Sequence, residues 1–377
     1  MGLFGGTKSG GDKKAKYYEA SQWTLVRRRF AKHKMALWMI HLVFILYFLC
    51  LNCEFFSPYK PSSRHAEWVN VPPQMLRFGF VEGFAWPRFY VHPFQADKNP
   101  VTLARRYAVD YDTRVPIRLF VKSWTYRYFG LVKTDWHLFG VDEVQGRTCF
   151  LTGTDGLGQD MLSRIFHGGR ISLLLGLTGV LLTFFLGILT GGISGFYGGK
   201  IDMFIQRLAE IFQTVPKIPI WLALAAAIPK DWTSLQVYFG MTLILACMGW
   251  TNLCRVVRGK LLALREEDYA RAALLAGASE GRIIFGHLVP NFTSHIIASL
   301  TLSIPGMILA ETSLSFLGLG LRPPIVSWGV LLQQASNVNV VVNQPWLLLP
   351  AWMVVLAVLA LNFAGDGLRD AADPYAT

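Results

Sequence analysis

The pattern of apolar and polar positions divides the chain into six long apolar runs separated by polar segments. Each run has about 18 or more mostly apolar residues, which is enough for one helix to cross the hydrocarbon core of a bilayer. The runs cover residues 35–52, 171–196, 208–228, 237–257, 293–317 and 346–363. The pattern therefore predicts an all-α polytopic membrane protein with six transmembrane helices.

The polar segment between the first two runs has a different pattern. Residues 118–128 alternate in polarity and are rich in aromatic side chains, which is typical of β-strands. We therefore predict a small, mostly β insertion. The predicted domains are a basic N-terminal segment (1–34), the first transmembrane helix (35–52), the insertion (53–150) and a helical core (151–377) with a polar loop at 258–290.

Composition agrees with a membrane protein, because 53% of the residues are hydrophobic and only 16% are charged. The mean hydropathy is +0.37. A net charge of +12 would suit nucleic acid only if the basic residues formed a binding face. Many of them instead precede the first apolar run, where they favour cytoplasmic retention and contact with membrane lipid. We expect no nucleic-acid partner. These residues are Lys13, Lys14, Lys16, Arg27, Arg28, Arg29, Lys32 and Lys34.

The short loops predict the orientation. The turn with Lys200 and Arg207 and the loop at 255–282 are basic, whereas the segments at 229–236 and 318–345 carry almost no basic residues. Basic loops stay in the cytoplasm, and long translocated domains do not obey this rule. We expect both termini in the cytoplasm and the insertion outside.

The polar loop after the fourth run predicts two short helices separated by glycine. An alanine-rich stretch from Tyr269 to Ala276 favours a helix, and Gly277 can adopt the left-handed conformation that ends one. Ser279 is a good N-cap for a second helix. Such a unit could be an ordinary amphipathic loop or a handle for a soluble partner. The residues alone leave both interpretations open.

Two sequence patterns of catalytic sites are absent. The chain has no Gly-x-x-x-x-Gly-Lys-Ser/Thr phosphate loop and no His-Glu-x-x-His zinc motif. We therefore expect no catalytic residue, no metal and no cofactor in this chain. If it belongs to a pump, ATP and Mg²⁺ are used by another subunit.

The polar loop resembles the EAA loop of bacterial ABC importer permeases, which docks into the ATPase subunit. Ala272, Ala273, Gly277 and Pro290 occupy the places of that pattern, whereas Arg271 stands where an acidic residue is usual. The resemblance implies that this loop couples the chain to an ATPase. The residues it assigns to coupling are Tyr269, Ala272, Ala273, Gly277, Ala278, Ser279 and Pro290.

Further motifs resemble the second, C-type permease of dipeptide, oligopeptide and nickel importers. They lie at 152–164, 169–173, 196–202, 311–320 and 365–374. The resemblance implies the type I ABC importer permease fold in the bacterial inner membrane. It implies four kinds of partner: a second homologous permease, two ATPase subunits (or a fused or heterodimeric pair), an extracytoplasmic solute-binding protein and membrane lipid.

The substrate stays open at this point. Peptides are the first choice, and oligosaccharides, opines or nickel chelates are the alternatives within the same family. A secondary transporter that runs without ATP is the alternative from another class. The coupling loop argues against it, as does the scarcity of charged residues within the apolar runs for a proton relay.

Three other sets of residues carry hypotheses. Glycines at four-residue spacing predict close helix packing along the second span. A carboxylate in the fifth span either lines the substrate path or is a buried structural group. Two cysteines bracket the insertion, and they either form a disulfide or are two buried, unrelated thiols. The packing residues are Gly187, Gly191, Gly195 and Gly199; the candidate path residues are Glu311, Ser315 and Pro216; the cysteines are Cys53 and Cys149.

Overall fold

The computed structural model describes residues 22–81, 86–98, 105–128, 130–141, 148–288 and 293–372. Its helices are α1 (Gln22–Lys32), α2 (Lys34–Leu51), α3 (Cys53–Phe56), α4 (Met161–Tyr197), α5 (Gly199–Thr214), α6 (Lys217–Ala226), α7 (Ser234–Leu264), α8 (Asp268–Leu275), α9 (Glu280–Arg282), α10 (Thr293–Phe316), α11 (Trp328–Gln334), α12 (Val338–Asn343) and α13 (Leu349–Ala372). A π-helical turn covers Ile283–Leu288, and a 3₁₀ turn covers Pro345–Leu348.

Within the described residues, five helices are long and apolar enough to cross a membrane: α2, α4, α7, α10, and α13 with its preceding turn. The third predicted span is not one straight helix. Its place is taken by α5 and α6, which meet at 89°. The chain has six spans if this bent pair counts as one.

Pro216 explains the bend. Proline disfavours the helical conformation in the residue before it, and Val215 is extended, with φ −82° and ψ 134°. Pro216 then stands at the N-cap of α6, where its missing N–H costs little. A break within a membrane span is tolerated only where the freed backbone faces protein or water. The third predicted run, 208–228, is therefore bent at Pro216.

The four glycines at four-residue spacing, called the glycine row below, are Gly187, Gly191, Gly195 and Gly199. Three of them pack α4 against α7, as predicted. An added Cβ at Gly187 would lie 2.7 Å from the Cβ of Leu253, and at Gly191 it would lie 2.6 Å from the carbonyl oxygen of Cys254. Gly195 meets the backbone of Arg258 in the same way. Gly199 was wrongly included, because it begins α5 with φ +57° and an added Cβ there would have no atom within 4 Å.

Gly191→Val should therefore destabilise the protein. The new side chain would meet backbone atoms that cannot rotate away, and overpacking of this kind costs roughly 1–3 kcal/mol. The thermal unfolding midpoint of the purified protein in detergent measures the effect. Gly259→Val is the matched control, because Gly259 on α7 has open space around it. Equal losses of stability in the two variants would contradict the packing role of Gly191.

The remaining spans close the bundle around α4 and α10. Leu46 of α2, Leu173 of α4, Ile308 of α10 and Val354 of α13 belong to one buried apolar cluster around Trp328. The basic helix α1 packs against α13, where Gly367 lies close to Phe30 and to Ala36 of α2. The basic segment before the first span is therefore part of the helical bundle.

The insertion is mostly β, as predicted. Its strands are β1 (Arg77–Gly79), β2 (Arg88–Val91), β3 (Phe94–Lys98), β4 (Arg105–Val109), β5 (Val115–Pro116), β6 (Arg118–Tyr128) and β7 (Val132–Gly140). They form three small antiparallel sheets with the orders β1-β2-β5, β3-β4 and β6-β7. The long β6-β7 hairpin runs from the pair Arg118–Gly140 to the pair Tyr128–Val132.

Hydrogen bonds fix this hairpin to the ends of the first two spans. The ring nitrogens of the buried His137 lie 2.8 Å from the carbonyl oxygen of Glu54 and 2.9 Å from that of Trp124. Glu54 in turn pairs with Arg170 of α4 at 2.5 Å. The insertion is thus joined to the bundle at its root.

Of the two alternatives for Cys53 and Cys149, the structure has the second, because both are free, buried thiols. Cys53 begins α3 and its Sγ donates to Glu54 at 3.4 Å. Cys149 packs instead in the apolar core of the insertion with Val91 and Val115. The two cysteines bracket the insertion along the chain, yet they lie in different environments.

A buried ion pair organises the segment that leads into α4. Asp155 accepts hydrogen bonds from the backbone of Leu157 (2.9 Å) and Gln159 (2.8 Å), and it pairs with Arg164 one turn into the helix. Both charged side chains are almost fully buried. Asp160 caps the helix by accepting from the Ser163 backbone at 2.8 Å. Burial raises the pKa of Asp160 to about 6, and its bonds from Ser163 oppose this shift.

Candidate functional site

The polar loop forms the predicted helix–glycine–helix unit. Helix α8 closes with a bond from the Ala276 N–H to the Ala272 carbonyl (2.9 Å) and one from the Ala278 N–H to the Ala273 carbonyl (3.1 Å). Gly277 between them has φ +77°, which is the left-handed conformation that glycine adopts at low cost. The predicted left-handed conformation of Gly277 is confirmed.

Ser279 stands at the predicted start of the second helix, with φ −63° and ψ 148°, but its side chain makes no capping hydrogen bond. Helix α9 is only three residues long and continues as the π-helical turn. Pro290 lies outside the described residues. The second half of the unit is therefore shorter and less regular than predicted.

The loop has an inner and an outer face. Ala270, Ile283 and Ile284 are buried in an apolar cluster with Val257 and Leu261 of α7. The half-buried Ala273 and Ala278 pack against the same cluster. The resemblance assigns these two alanines to coupling, and the structure packs both against the bundle, where they hold the loop in position.

The outer face is exposed. Of the predicted coupling residues, it carries Tyr269, Ala272, Gly277 and Ser279. Leu275 is its most prominent apolar side chain, with 89% of its surface exposed. Sequence reasoning missed Leu275, although a large apolar residue two positions before the glycine that ends a helix is a usable signal. An unpartnered leucine at the tip of a polar loop suits a protein contact.

Polar contacts connect the loop to the ends of α4 and α7. Tyr197 at the end of α4 donates a hydrogen bond to Glu280. Arg265 after α7 donates to the carbonyl oxygens of Gly195 (3.4 Å) and Phe196 (3.2 Å). The loop is therefore fixed to the same two helices that the glycine row packs together. A force on the loop would reach the bundle through α4 and α7.

Arg271, which departs from the family pattern, has its own partner. It pairs with Glu266 at 2.6 Å on the exposed side of the loop. The hydrogen bond from Arg271 lowers the pKa of the Glu266 carboxyl. The arginine is therefore satisfied within the loop and needs no external acid.

Residues 277–281 also match the Gly-x-Ser-x-Gly pattern of serine hydrolases. In those enzymes the serine sits on a sharp turn between a strand and a helix. Here a helix, α8, precedes the serine, and the hydroxyl lies on an exposed loop. The local structure required for a nucleophilic serine is absent from this part of the chain.

A cavity of about 600 Å³ lies in the helical bundle between α4, α6, α7 and α10. Its polar lining includes Lys217, Asn252, Arg255 and Ser303, which are exposed in the single chain. Charged side chains on the exposed face of an apolar helix are expensive against lipid and usually face a water-filled path or a protein partner. This face of the bundle is therefore the candidate wall of a polar path.

Glu311 does not line this cavity. It is fully buried, its two carboxylate oxygens accept hydrogen bonds from Ser172 of α4 (2.9 Å) and Ser315 (2.8 Å), and Ser172 also accepts from the Trp328 N–H (3.2 Å). The network joins α4, α10 and α11. Of the two alternatives for Glu311, the structure favours the buried structural group, and Ser315 shares that role. Pro216 lies beside the cavity residue Lys217.

Two family models match the chain. "Binding-protein-dependent transport system inner membrane component" matches residues 185–376, and "N-terminal TM domain of oligopeptide transport permease C" matches residues 21–73. The first match includes the polar loop, the glycine row and the cavity residues.

Several curated proteins are similar over the larger part of the chain. The oligopeptide transport system permease protein OppC of Haemophilus influenzae is 36% identical over 260 residues, which cover 68% of this chain and 80% of that protein. OppC of Bacillus subtilis is 36% identical over 59% of this chain and 70% of that protein. A putative peptide permease protein of Brucella suis is 41% identical over 59% of this chain and 72% of that protein.

Among solved structures, a chain of the MetNI methionine ABC transporter in an inward-facing conformation matches with a TM-score of 0.44 and 16% identity. The match covers 56% of this chain and 98% of that chain.

Proposed function

The chain belongs to the family of binding-protein-dependent transport system inner membrane components, and we propose that it is the permease subunit of an ATP-driven importer of peptides. The observation that carries this proposal is the exposed helix–glycine–helix loop within a chain that matches the family. Peptides are favoured over oligosaccharides, opines and nickel chelates because the similar curated proteins are named as oligopeptide, dipeptide or peptide permeases.

The chain works with separate partners in this proposal. Two ATPase subunits bind the loop at 268–290 and hydrolyse ATP with Mg²⁺, because this chain has no phosphate loop. A second, homologous permease covers the polar face of the bundle, and an extracytoplasmic solute-binding protein delivers the peptide. Both termini lie in the cytoplasm, and the β insertion faces the binding protein or the second permease outside.

Coupling follows from the contacts of the loop. Closure of the ATPase pair moves the outer face of the loop, which includes Tyr269, Ala272 and Leu275. The inner face passes this movement to α7 through Ala270 and Ile283, and Arg265 passes it to the end of α4. The two helices then move together, because their glycine contacts leave no space between them. The paired permeases thereby alternate between inward-facing and outward-facing states.

The cavity is the part of the path that this chain supplies. Its cationic residues Lys217 and Arg255 can meet the C-terminal carboxylate of a peptide, while Asn252 and Ser303 can bond its amide groups. None of the described residues that line the cavity is acidic. Weak contacts of this kind are enough for a peptide that passes through the cavity and is then released.

Arg255→Met should reduce uptake of a radiolabelled short peptide by roughly tenfold, since a lost charge-assisted hydrogen bond is worth about 1.5–3 kcal/mol. Uptake is measured in cells that lack other peptide permeases and express the chain with its partner subunits. Lys260→Met is the matched control, because Lys260 is an exposed basic residue of the same helix that does not line the cavity. Unchanged uptake in both variants would contradict the proposal that the cavity is part of the peptide path. Absence of ATP-dependent peptide uptake in the wild type would contradict the proposed importer function.

A further inference from the structure

A cluster of metal-binding side chains lies where the insertion joins the bundle. Cys53 and Glu54 of α3 and His167 of α4 each offer a ligand atom, and these atoms lie within 4.8 Å of one another. Cys53 and His167 are buried, and Glu54 is half-buried. Neither the permease function nor the coupling loop uses these residues. We infer that this cluster is a structural site for Zn²⁺.

The ligand types select the metal. A thiolate, an imidazole and a carboxylate are all ligands of zinc, whereas Mg²⁺ and Ca²⁺ prefer sets made only of oxygen. Zinc bonds of about 2.0–2.3 Å place neighbouring ligand atoms roughly 3.5 Å apart. Binding therefore requires the three side chains to close by about 1 Å, which small side-chain rotations can supply. Water takes the fourth position of the tetrahedron.

The surroundings of His167 match those of a metal ligand. Its Nδ1 lies 2.8 Å from the carbonyl oxygen of Ser163 and 3.3 Å from the hydroxyl of Ser57. Donation from Nδ1–H to the carbonyl leaves the lone pair on Nε2, so Nε2 is the ligand atom. Zinc-binding histidines almost always donate their other ring N–H to a carbonyl or carboxylate in this way. The neighbouring His137 is not available, because both its nitrogens face carbonyl oxygens.

The positive charge of Arg170 disfavours the binding of a cation at this cluster. It lies 2.5 Å from Oε1 of Glu54, while Oε2 of the same carboxylate accepts from Cys53 at 3.4 Å. The guanidinium therefore holds one oxygen and leaves the other directed at the cluster. Binding of the ion would release the proton of the Cys53 thiol, and the two negative charges of the resulting thiolate and of the Glu54 carboxylate would then outweigh the single positive charge of Arg170. Arg170 acts as an outer-shell residue that orients Glu54.

The site would link two parts of the chain. Cys53 and Glu54 begin the insertion, and His167 belongs to the second span. The Glu54 carbonyl also receives His137 of the β6-β7 hairpin. A zinc ion at this place would fix the root of the insertion to the bundle, and its binding energy would add to the stability of the fold.

Cobalt titration of the purified full chain in detergent tests the site. After treatment with a chelator, the wild type should bind one Co²⁺ and show the visible bands of a tetrahedral ion together with a near-ultraviolet thiolate band. Zn²⁺ should displace both signals. Cys53→Ser should lose the thiolate band, and His167→Gln should weaken Co²⁺ binding at least tenfold.

Cys247→Ser is the matched control, because Cys247 is a free thiol on α7 away from the cluster, and it should keep both signals. Size-exclusion chromatography shows that each variant is folded. The wild-type titration needs no substitution, so a folded wild type without a thiolate band would overturn the proposal. A band that persists in Cys53→Ser would also overturn it.

Discussion

Leu275→Glu is expected to remove the ATPase subunits from the purified transporter and to abolish ATP-dependent peptide uptake. The leucine is 89% exposed at the end of α8, directly before the residues that turn the chain at Gly277. Apolar anchors that fill a pocket on a partner contribute about 2 kcal/mol or more, which corresponds to roughly thirtyfold in affinity. Glutamate would also bring an unpaired charge into that pocket. Quantitative mass spectrometry of the co-purified subunits measures the loss.

Leu131→Glu is the matched control for this experiment. Leu131 lies in the turn of the β6-β7 hairpin and is 86% exposed, so the same substitution changes an equally exposed leucine. The hairpin belongs to the insertion, which the proposal places on the other side of the membrane. The control should retain its ATPase subunits. If Leu275→Glu also retains them, the outer face of the loop is not the docking surface.

The apolar spans could be predicted because membrane insertion depends on local composition. Five of the predicted runs correspond to single helices, and their lengths follow from the thickness of the bilayer. The bend at Pro216 could not be predicted with the same certainty. A proline there is compatible with a late helix start, a kink or a right-angled break, and only the packing of α5 and α6 decides between them.

In the insertion, the presence of strands could be predicted but their pairing could not. Alternating residues in 118–128 indicated a strand, but the partner of each strand depends on contacts between residues far apart in the chain. Strand β2 pairs with β5, although β3 and β4 lie between them in sequence. The choice between a disulfide and two separate thiols at Cys53 and Cys149 stayed open for the same reason. Their positions along the chain said nothing about the separate environments in which they are buried.

In the loop, backbone conformation was more predictable than exposure. Gly277 was identified from its chemistry, because few other residues adopt a positive φ at low cost. Which alanines face outward depends on the rotation of α8 against the cluster around Ile283, and that rotation is a tertiary property. Ala273 and Ala278 therefore turned inward, while Leu275 turned outward.

Arg164→Met is expected to destabilise the protein more than any other single change considered for the bundle. The substitution would leave the carboxylate of Asp155 buried without its counter-ion, and breaking a buried pair in this way costs roughly 3–5 kcal/mol. The hydrogen bonds from Leu157 and Gln159 would then hold the segment before α4 less firmly. We expect a lower thermal unfolding midpoint in detergent and a smaller monodisperse fraction in size-exclusion chromatography.

A double variant separates the lost charge from the lost packing. Asp155→Asn with Arg164→Met removes both charges, and the asparagine oxygen can still accept the two backbone hydrogen bonds, so part of the stability should return. Arg207→Met is the control, because the Arg207–Glu210 pair is exposed and such pairs contribute about 0.2–1 kcal/mol. If Arg164→Met costs no more than Arg207→Met, the ion pair does not organise the start of α4. If the double variant is no more stable than Arg164→Met alone, the damage comes from lost packing, and the unpaired charge is not its cause.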